Sequence, residues 1–134
     1  MVNFVGRSVR RKEDPRLLAG RGRYVADLGR PHMASAVILR SPHAHALIRH
    51  IDTRRARSLP GFLGCFAAPD LPGPVNPIPL RRGSRPALLP YLQRPFPGDR
   101  VRYVGEPVAV VVANDRYVAE DARELIDVEY EPLP

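Results

Sequence analysis

The chain has no tryptophan, a single cysteine, a single lysine and no apolar run longer than six residues. Each shortage closes off a class of protein. A lone Cys65 allows no internal disulfide, so nothing staples the fold covalently. It sits in the apolar stretch Gly61–Phe66, where a free thiol packs as a small hydrophobe. The longest apolar run, Val108–Ala113, falls far short of the roughly 20 residues that span a bilayer. Met1–Gly6 leads into arginine and glutamate rather than into an apolar segment, so no secretory leader is expected. These absences together predict a soluble cytoplasmic protein without a membrane partner.

Lys12 is the only lysine among 21 basic residues, and the arginines that make up the rest outweigh 14 carboxylates to give a net charge of +7. Such a balance raises nucleic acid as a partner. The arginines are scattered from Arg7 to Arg123, however, with small groups only at 10–12, 54–57 and 81–85, and none is interleaved with stacking aromatics. Arginine suits two-pronged pairing with carboxylates at protein surfaces. The pattern favours a solvated or partner-facing surface over a nucleic-acid site.

Proline and glycine are in excess, at 16 and 10 in 134 residues. The length predicts one domain spanning 1–134 and able to bury a real core. Nine of the prolines fall in a loop at about 69–97, which argues against a helix or an interior strand there. That loop also carries Ile78, Leu80, Leu88, Leu89, Tyr91, Leu92 and Phe96, more apolar surface than a tether requires. Packing against a partner is the favoured reading over disorder.

The remaining segments have periodicities that place them. Asp14-Pro15 predicts a turn before Arg16-Leu17-Leu18. Gly20 and Gly22 frame Arg21, but a third glycine of a dinucleotide loop would fall at Val25 and no strand precedes, so a flexible turn into a short strand is expected. Strands are predicted over 33–40, 46–51 and 62–67, with a short helix over 54–59 capped by Asp52 or Thr53 and stopped by Pro60-Gly61. Val101 and Tyr103 alternate with Arg100 and Arg102 as in a half-buried strand. Val108–Ala113 carries no polar group and reads as a strand covered on both faces. A helix capped by Asn114 or Asp115 follows, with Val118, Ala122, Leu125 and Ile126 along one stripe. Asp127–Glu131 returns as a strand. The fold class is α+β: a small mixed sheet with two helices and a long Pro-rich loop.

Chemistry is sparse. His43 and His45 would point to one side of a strand, but no neighbouring carboxylate or histidine completes a metal set. Ser41 precedes proline and lacks a glycine elbow, so turn or surface hydrogen bonding is expected of it instead of nucleophilic attack. The adjacent pairs Glu13-Asp14 and Glu120-Asp121 diverge in any regular structure and do not share a proton. No catalytic, cofactor-binding or metal-ligating residue is assigned.

Five ordered motifs nevertheless carry a resemblance. They are Arg10-x-Lys12-Glu13-Asp14-x-Arg16-Leu17-Leu18-x-Gly20-x-Gly22-x-Tyr24-x-x-Asp27; Arg40-Ser-Pro-His-Ala-His-Ala46 with Ile51-Asp52; Pro60-Gly61; Val101-Arg-Tyr-Val-Gly-Glu-Pro-Val-Ala109; and Val128-Glu-Tyr-Glu-Pro-Leu-Pro134. In these the chain resembles the start of the molybdenum-binding large subunit of the xanthine dehydrogenase, aldehyde oxidase and carbon monoxide dehydrogenase family, departing from it chiefly at 72–97. The resemblance implies an α/β hammerhead domain acting as a structural module of an oxidoreductase that oxidises aldehydes, N-heterocycles or carbon monoxide. It implies a parent complex using a molybdopterin dinucleotide, [2Fe–2S] clusters and FAD, with the remaining large-subunit domains and the iron–sulfur and FAD subunits as partners. The pterin-binding segments and the catalytic glutamate of that family belong to later domains, so the isolated chain is expected to be inactive and to bind no cofactor alone. Glu106 is read as structural. By the same resemblance, Ile78, Leu80, Tyr91 and Phe96 are candidates for lining a substrate funnel. The alternative is an independent basic module that binds an acidic partner or nucleic acid.

Overall fold

The computed structural model describes residues 4–73, 76–79 and 86–134, and the chain divides into two compact units, Met1–Met33 and Ala34–Pro134. In the first, helix α1 (Asp14–Leu18) has Pro15 in its first turn, where its fixed φ and missing N–H are tolerated. The expected turn is therefore a short helix. A 3-10 turn at Val25–Asp27 takes the place of the expected strand after Gly22, because Asp27 Oδ2 accepts the Tyr24 backbone N–H at 2.9 Å and closes the chain on itself. No described residue of this unit is buried.

The second unit contains two three-stranded antiparallel sheets. Strand β1 (Ser35–Arg40) leads to β2 (Ala46–Asp52), helix α2 (Arg54–Arg57) and β3 (Phe62–Ala67). After the Pro-rich loop come β4 (Arg100–Val101), β5 (Pro107–Ala113), helix α3 (Arg116–Glu124) and β6 (Asp127–Pro132). One sheet has the order β1-β5-β3, the other β4-β2-β6.

A single ribbon joins them. β1 pairs with β5, and the same two chain segments pair again as β2 with β4, so the ribbon leaves one sheet and enters the other. Five residues on each side, 41–45 and 102–106, form the corner between them. At its approach the β1–β5 register slips, with Leu39 opposite Ala109 but Arg40 opposite Pro107. Val108 is thereby left unpaired on that ladder, as in a β-bulge. It packs fully buried with Ala46 and Val101.

The main core lies on one face of the first sheet. Val111 from β5 meets Ala56 of α2 and Ala122 and Ile126 from α3 and its C-terminal end, ringed by Leu39, Ile51, Phe62, Cys65 and Val128. The alanines let the helices approach closely. Cys65 is half-buried there, and desolvation pushes its thiol above the ordinary value, which keeps it protonated and inert. Burying Val111 contributes on the order of 1.5–3 kcal/mol. An exposed pair such as Arg116–Glu120 is largely screened by solvent, so packing rather than ion pairing holds this unit together.

Several expectations are refined. The strand predicted through Tyr103 stops at Val101, because the Arg102 N–H turns to the Glu106 carboxylate instead of a neighbouring strand. The Pro-rich loop includes a 3-10 turn over Pro86–Tyr91, short enough to tolerate Pro90 within it. Val108–Ala113 forms the expected strand, but only one of its faces is covered, since Ile38 and Phe66 flank Val110 on the other and remain solvent-accessible. Of the two predicted caps for α3, Asp115 is the one used, its Oδ1 accepting from Val118 N at 2.9 Å. Replacing it in Asp115→Ala is expected to destabilise the chain by about 1 kcal/mol, read as a lowered midpoint in urea unfolding with an unchanged slope.

Candidate functional site

The corner of the ribbon is built from two of the sequence motifs. Ser41 N donates to Glu106 O at 2.9 Å, Gly105 N donates back to Ser41 O at 2.8 Å, and Arg40 Nη1 reaches Gly105 O at 2.8 Å. Gly105 has φ of +87°, a conformation that costs other L-residues about 1–2 kcal/mol. Ser41, 2% exposed, uses its Oγ to accept the His43 N–H and to donate to His43 O, each at 3.0 Å. Turn or surface bonding was expected of Ser41; it makes the turn bonds and is buried.

The last motif closes on the same place. Leu133 N donates to His45 O at 2.9 Å and His45 Nδ1 donates to Pro134 O at 2.8 Å, while the His43 ring lies 4.9 Å from that of Tyr130. The two histidines sit in a turn and serve different partners. Among the described residues, no group of three or more His, Cys, Asp or Glu is placed to hold a metal ion. Tyr130 Oη is buried without a hydrogen-bond partner, and burial pushes its phenol up, an effect the nearby Ser41 hydroxyl partly offsets.

Beside this corner lies a cleft of about 550 Å³. Pro90, Tyr91, Leu92, Gln93 and Arg94 form part of its wall, and Gly98, Asp99, Arg102, Tyr103 and Glu106 the rest. Gln93 Nε2 donates to Tyr103 Oη, and Ile78 N donates to Gln93 O at 2.7 Å, tying the loop to the corner. Asp99 O accepts from Ile48 N at 2.9 Å, which anchors the cleft to β2. Desolvation opposes the Asp99 carboxylate, but hydrogen bonds from Arg100 and the Asp99 backbone, with the charges of Arg100 and Arg102, outweigh it and lower its pKa. Glu106 is 4% exposed and accepts the Arg102 N–H. The cleft thus presents guanidinium, carboxylate, amide and phenol groups, and it offers no nucleophile with an adjacent base.

Of the four residues predicted to line an entrance, Tyr91 borders the cleft and is exposed. Ile78 is exposed and connects to it through its backbone bond to Gln93, whereas half-buried Phe96 is outside the lining. Leu80 lies outside the described residues. Gln93, Arg94, Asp99, Arg102 and Tyr103 were not anticipated, since no spacing rule brings a loop wall to a ribbon corner. The Gly-Glu-Pro sequence at 105–107 was the available signal.

A ribbon that turns between two small three-stranded sheets, with a helix pair in the core of the first, is the arrangement that defines this fold. The chain belongs to the aldehyde oxidase and xanthine dehydrogenase a/b hammerhead domain family, whose model matches residues 19–134. It is 43% identical over 125 residues to the carbon monoxide dehydrogenase large chain of Afipia carboxidovorans, covering 93% of this chain and 15% of that one. It is 40% identical over 134 residues to the nicotine 6-hydroxylase large subunit of Paenarthrobacter nicotinovorans, covering 98% and 16%. The crystal structure of quinoline 2-oxidoreductase from Pseudomonas putida 86 superposes with a TM-score of 0.77 at 44% identity, covering 96% of this chain and 16% of that one. The chain therefore spans about a sixth of the length of the relatives it matches.

The corner yields a direct test. In Glu106→Ala the Arg102 N–H loses its acceptor in a buried setting, which is expected to cost about 1–3 kcal/mol. Glu106→Gln keeps an acceptor oxygen and is expected to recover most of that loss. Thermal unfolding of the two variants beside the parent chain reads the difference.

Proposed function

We propose that this chain is a scaffolding and docking module of a molybdenum hydroxylase large subunit, an oxidoreductase of aldehydes, N-heterocycles or carbon monoxide, and that it is not catalytic by itself. The observation that carries the reading is the family match over residues 19–134, joined to the small share of its relatives that the chain spans. Carbon monoxide, nicotine and quinoline appear as substrates in the names of relatives, so the chemistry of the parent complex is oxidation of a small carbon centre. Molybdopterin, [2Fe–2S] clusters and FAD belong in this reading to the rest of the complex. Among the described residues no group of three or more His, Cys, Asp or Glu is placed to hold a metal ion. Its partners are the remaining large-subunit domains and the iron–sulfur and FAD subunits, assembled in the cytoplasm. No described helix is long and apolar enough to cross a membrane.

Two further observations support docking. The Met1–Met33 unit exposes Phe4, Leu18 and Val25 and buries no described residue, so it has little to stabilise it alone. Arg16, Arg49, Arg54, Arg100, Arg116 and Arg123 engage carboxylates in ion pairs, which leaves these six poorly disposed to track a phosphate backbone. The alternative of an independent nucleic-acid or acidic-partner module gains no support.

Within the assembled enzyme the cleft beside Glu106 and the Pro-rich loop shape substrate access, with Tyr91 at the rim and Ile78, Leu80 and Phe96 along the same loop. Co-expression with the other large-subunit domains and the two companion subunits is expected to give a co-purifying complex that contains molybdenum and reduces a dye with substrate. The chain purified alone is expected to hold no molybdenum and to turn over nothing; a metal-loaded, active preparation of it would overturn the proposal. In the complex, Tyr91→Ala is expected to change KM for bulky heterocycles by several-fold while leaving KM for a small aldehyde within twofold, and equal effects on both would remove Tyr91 from the entrance.

A further inference from the structure

The six apolar residues of Val108–Ala113 conflict with the surroundings of β5. An antiparallel strand with one solvated face normally alternates apolar and polar side chains. Val111, with Cys65 opposite it on β3 and Leu39 packed against the same cluster, faces the helices and the core. The alternate residues Val110 and Val112 therefore project from the opposite face. Register places Ile38 and Phe66 on either side of Val110, and Ala36 and Gly64 on either side of Val112. This patch of six positions contains no polar side chain. Its flanks are open, Ile38 being 40% exposed and Phe66 47%, while Val110 and Val112 between them are half-buried.

Gly64 shows that the patch is shaped as a surface. A Cβ at this position would lie 2.9 Å from the Phe66 ring, so the ring lies down against the strand where a side chain would otherwise stand. Glycine in a strand interior often marks such a close approach. The result is a low apolar platform across all three strands. The six positions carry no charge, and Arg40, next on the same face of β1, has its guanidinium drawn to Gly105 O at the corner, which favours an apolar protein layer over a phosphate-rich partner. The chain spans only 15–16% of its large-subunit relatives, so most of such a subunit is available to supply that layer.

We infer that the outer face of the β1-β5-β3 sheet, centred on Ile38, Val110 and Phe66, is the surface on which the remaining large-subunit polypeptide packs. This inference rests on the scaffold reading above and specifies where the docking occurs. Buried in this way, β5 becomes a strand covered on both faces, as its composition demands.

The test is co-expression of the 134-residue chain with the rest of the large subunit as a separate polypeptide, read by co-purification and by affinity. The wild-type chain is expected to bind. An uncompensated ammonium in an apolar contact weakens association steeply, so Ile38→Lys and Phe66→Lys are each expected to reduce affinity at least about tenfold and their combination about a hundredfold. Because both side chains are exposed, the isolated variants should keep the wild-type circular dichroism. Hydroxyl-radical labelling of the wild-type chain covers the case in which the variants misfold: Ile38 and Phe66 label in the free chain and become protected in the complex. Binding that survives both lysines, or labelling that persists in the complex, overturns this inference and leaves the scaffold reading standing. A wild-type chain that binds nothing overturns both. A wild-type dimer that Phe66→Lys converts to monomer overturns the inference by making a second copy the occupant.

Discussion

The reciprocal backbone bonds between Ser41 and the Gly105-Glu106 pair are the constraint on which the second unit depends. They fix the point where one antiparallel ribbon stops belonging to the first sheet and begins to belong to the second. Without that corner, β1 and β5 would have no reason to part where they do, and β2 would not meet β4 in register. The side chains at the corner replace the lost ladder bonds: Ser41 Oγ takes the His43 N–H and Glu106 takes the Arg102 N–H. Backbone groups that leave a ladder in a buried place must find such partners. The bulge at Val108 then turns an otherwise outward side chain into the space between the sheets, so that Ala46, Val101 and Val108 form a small second core next to the corner.

This geometry explains why some of the fold was legible in the amino-acid order and some was not. Strands β1, β2, β3, β5 and β6 and helix α3 have strong local periodicity, and the structure places each within a few residues of expectation. The motifs around 40–46, 101–109 and 128–134 also stood out, and they prove to be the two sides of the corner and the strand end that closes on it. What failed was local reading where a long-range bond decides the outcome. Tyr103 alternates as a strand residue should, yet the Glu106 carboxylate captures the Arg102 N–H and ends β4. The cleft was invisible for the same reason. Its walls come from a proline-rich loop and a ribbon corner, brought together by the Gln93–Tyr103 bond, and neither segment has a period to read.

The distribution of polar chemistry follows from the same economy of structure. Glu106 is a buried carboxylate, and in many proteins that alone would suggest acid–base work. Here its hydrogen bond is to a backbone N–H four residues earlier, and its own backbone holds Ser41. That is a positioning role with no reacting partner in reach. Cys65 is similar: a nucleophile by residue type, but half-buried beside Val111 and Phe62 with its thiol pushed away from the reactive form. Both groups are occupied in holding the fold.

The composition of β5 carries this one step further. Selection for the stability of this unit alone would require apolar residues at Ala109, Val111 and Ala113 and would tolerate threonine or lysine at 110 and 112. Valine at both, with the exposed Ile38 and Phe66 flanking Val110, gains only part of its burial in this unit alone. Exposed apolar strands also invite edge pairing and aggregation, a cost that proteins commonly limit with charge. The outer platform is thus a liability for the isolated unit and an asset only when covered. Residues that are indifferent or harmful to a domain by itself, yet uniform in chemistry over three strands, are best accounted for by an apolar protein layer that covers them.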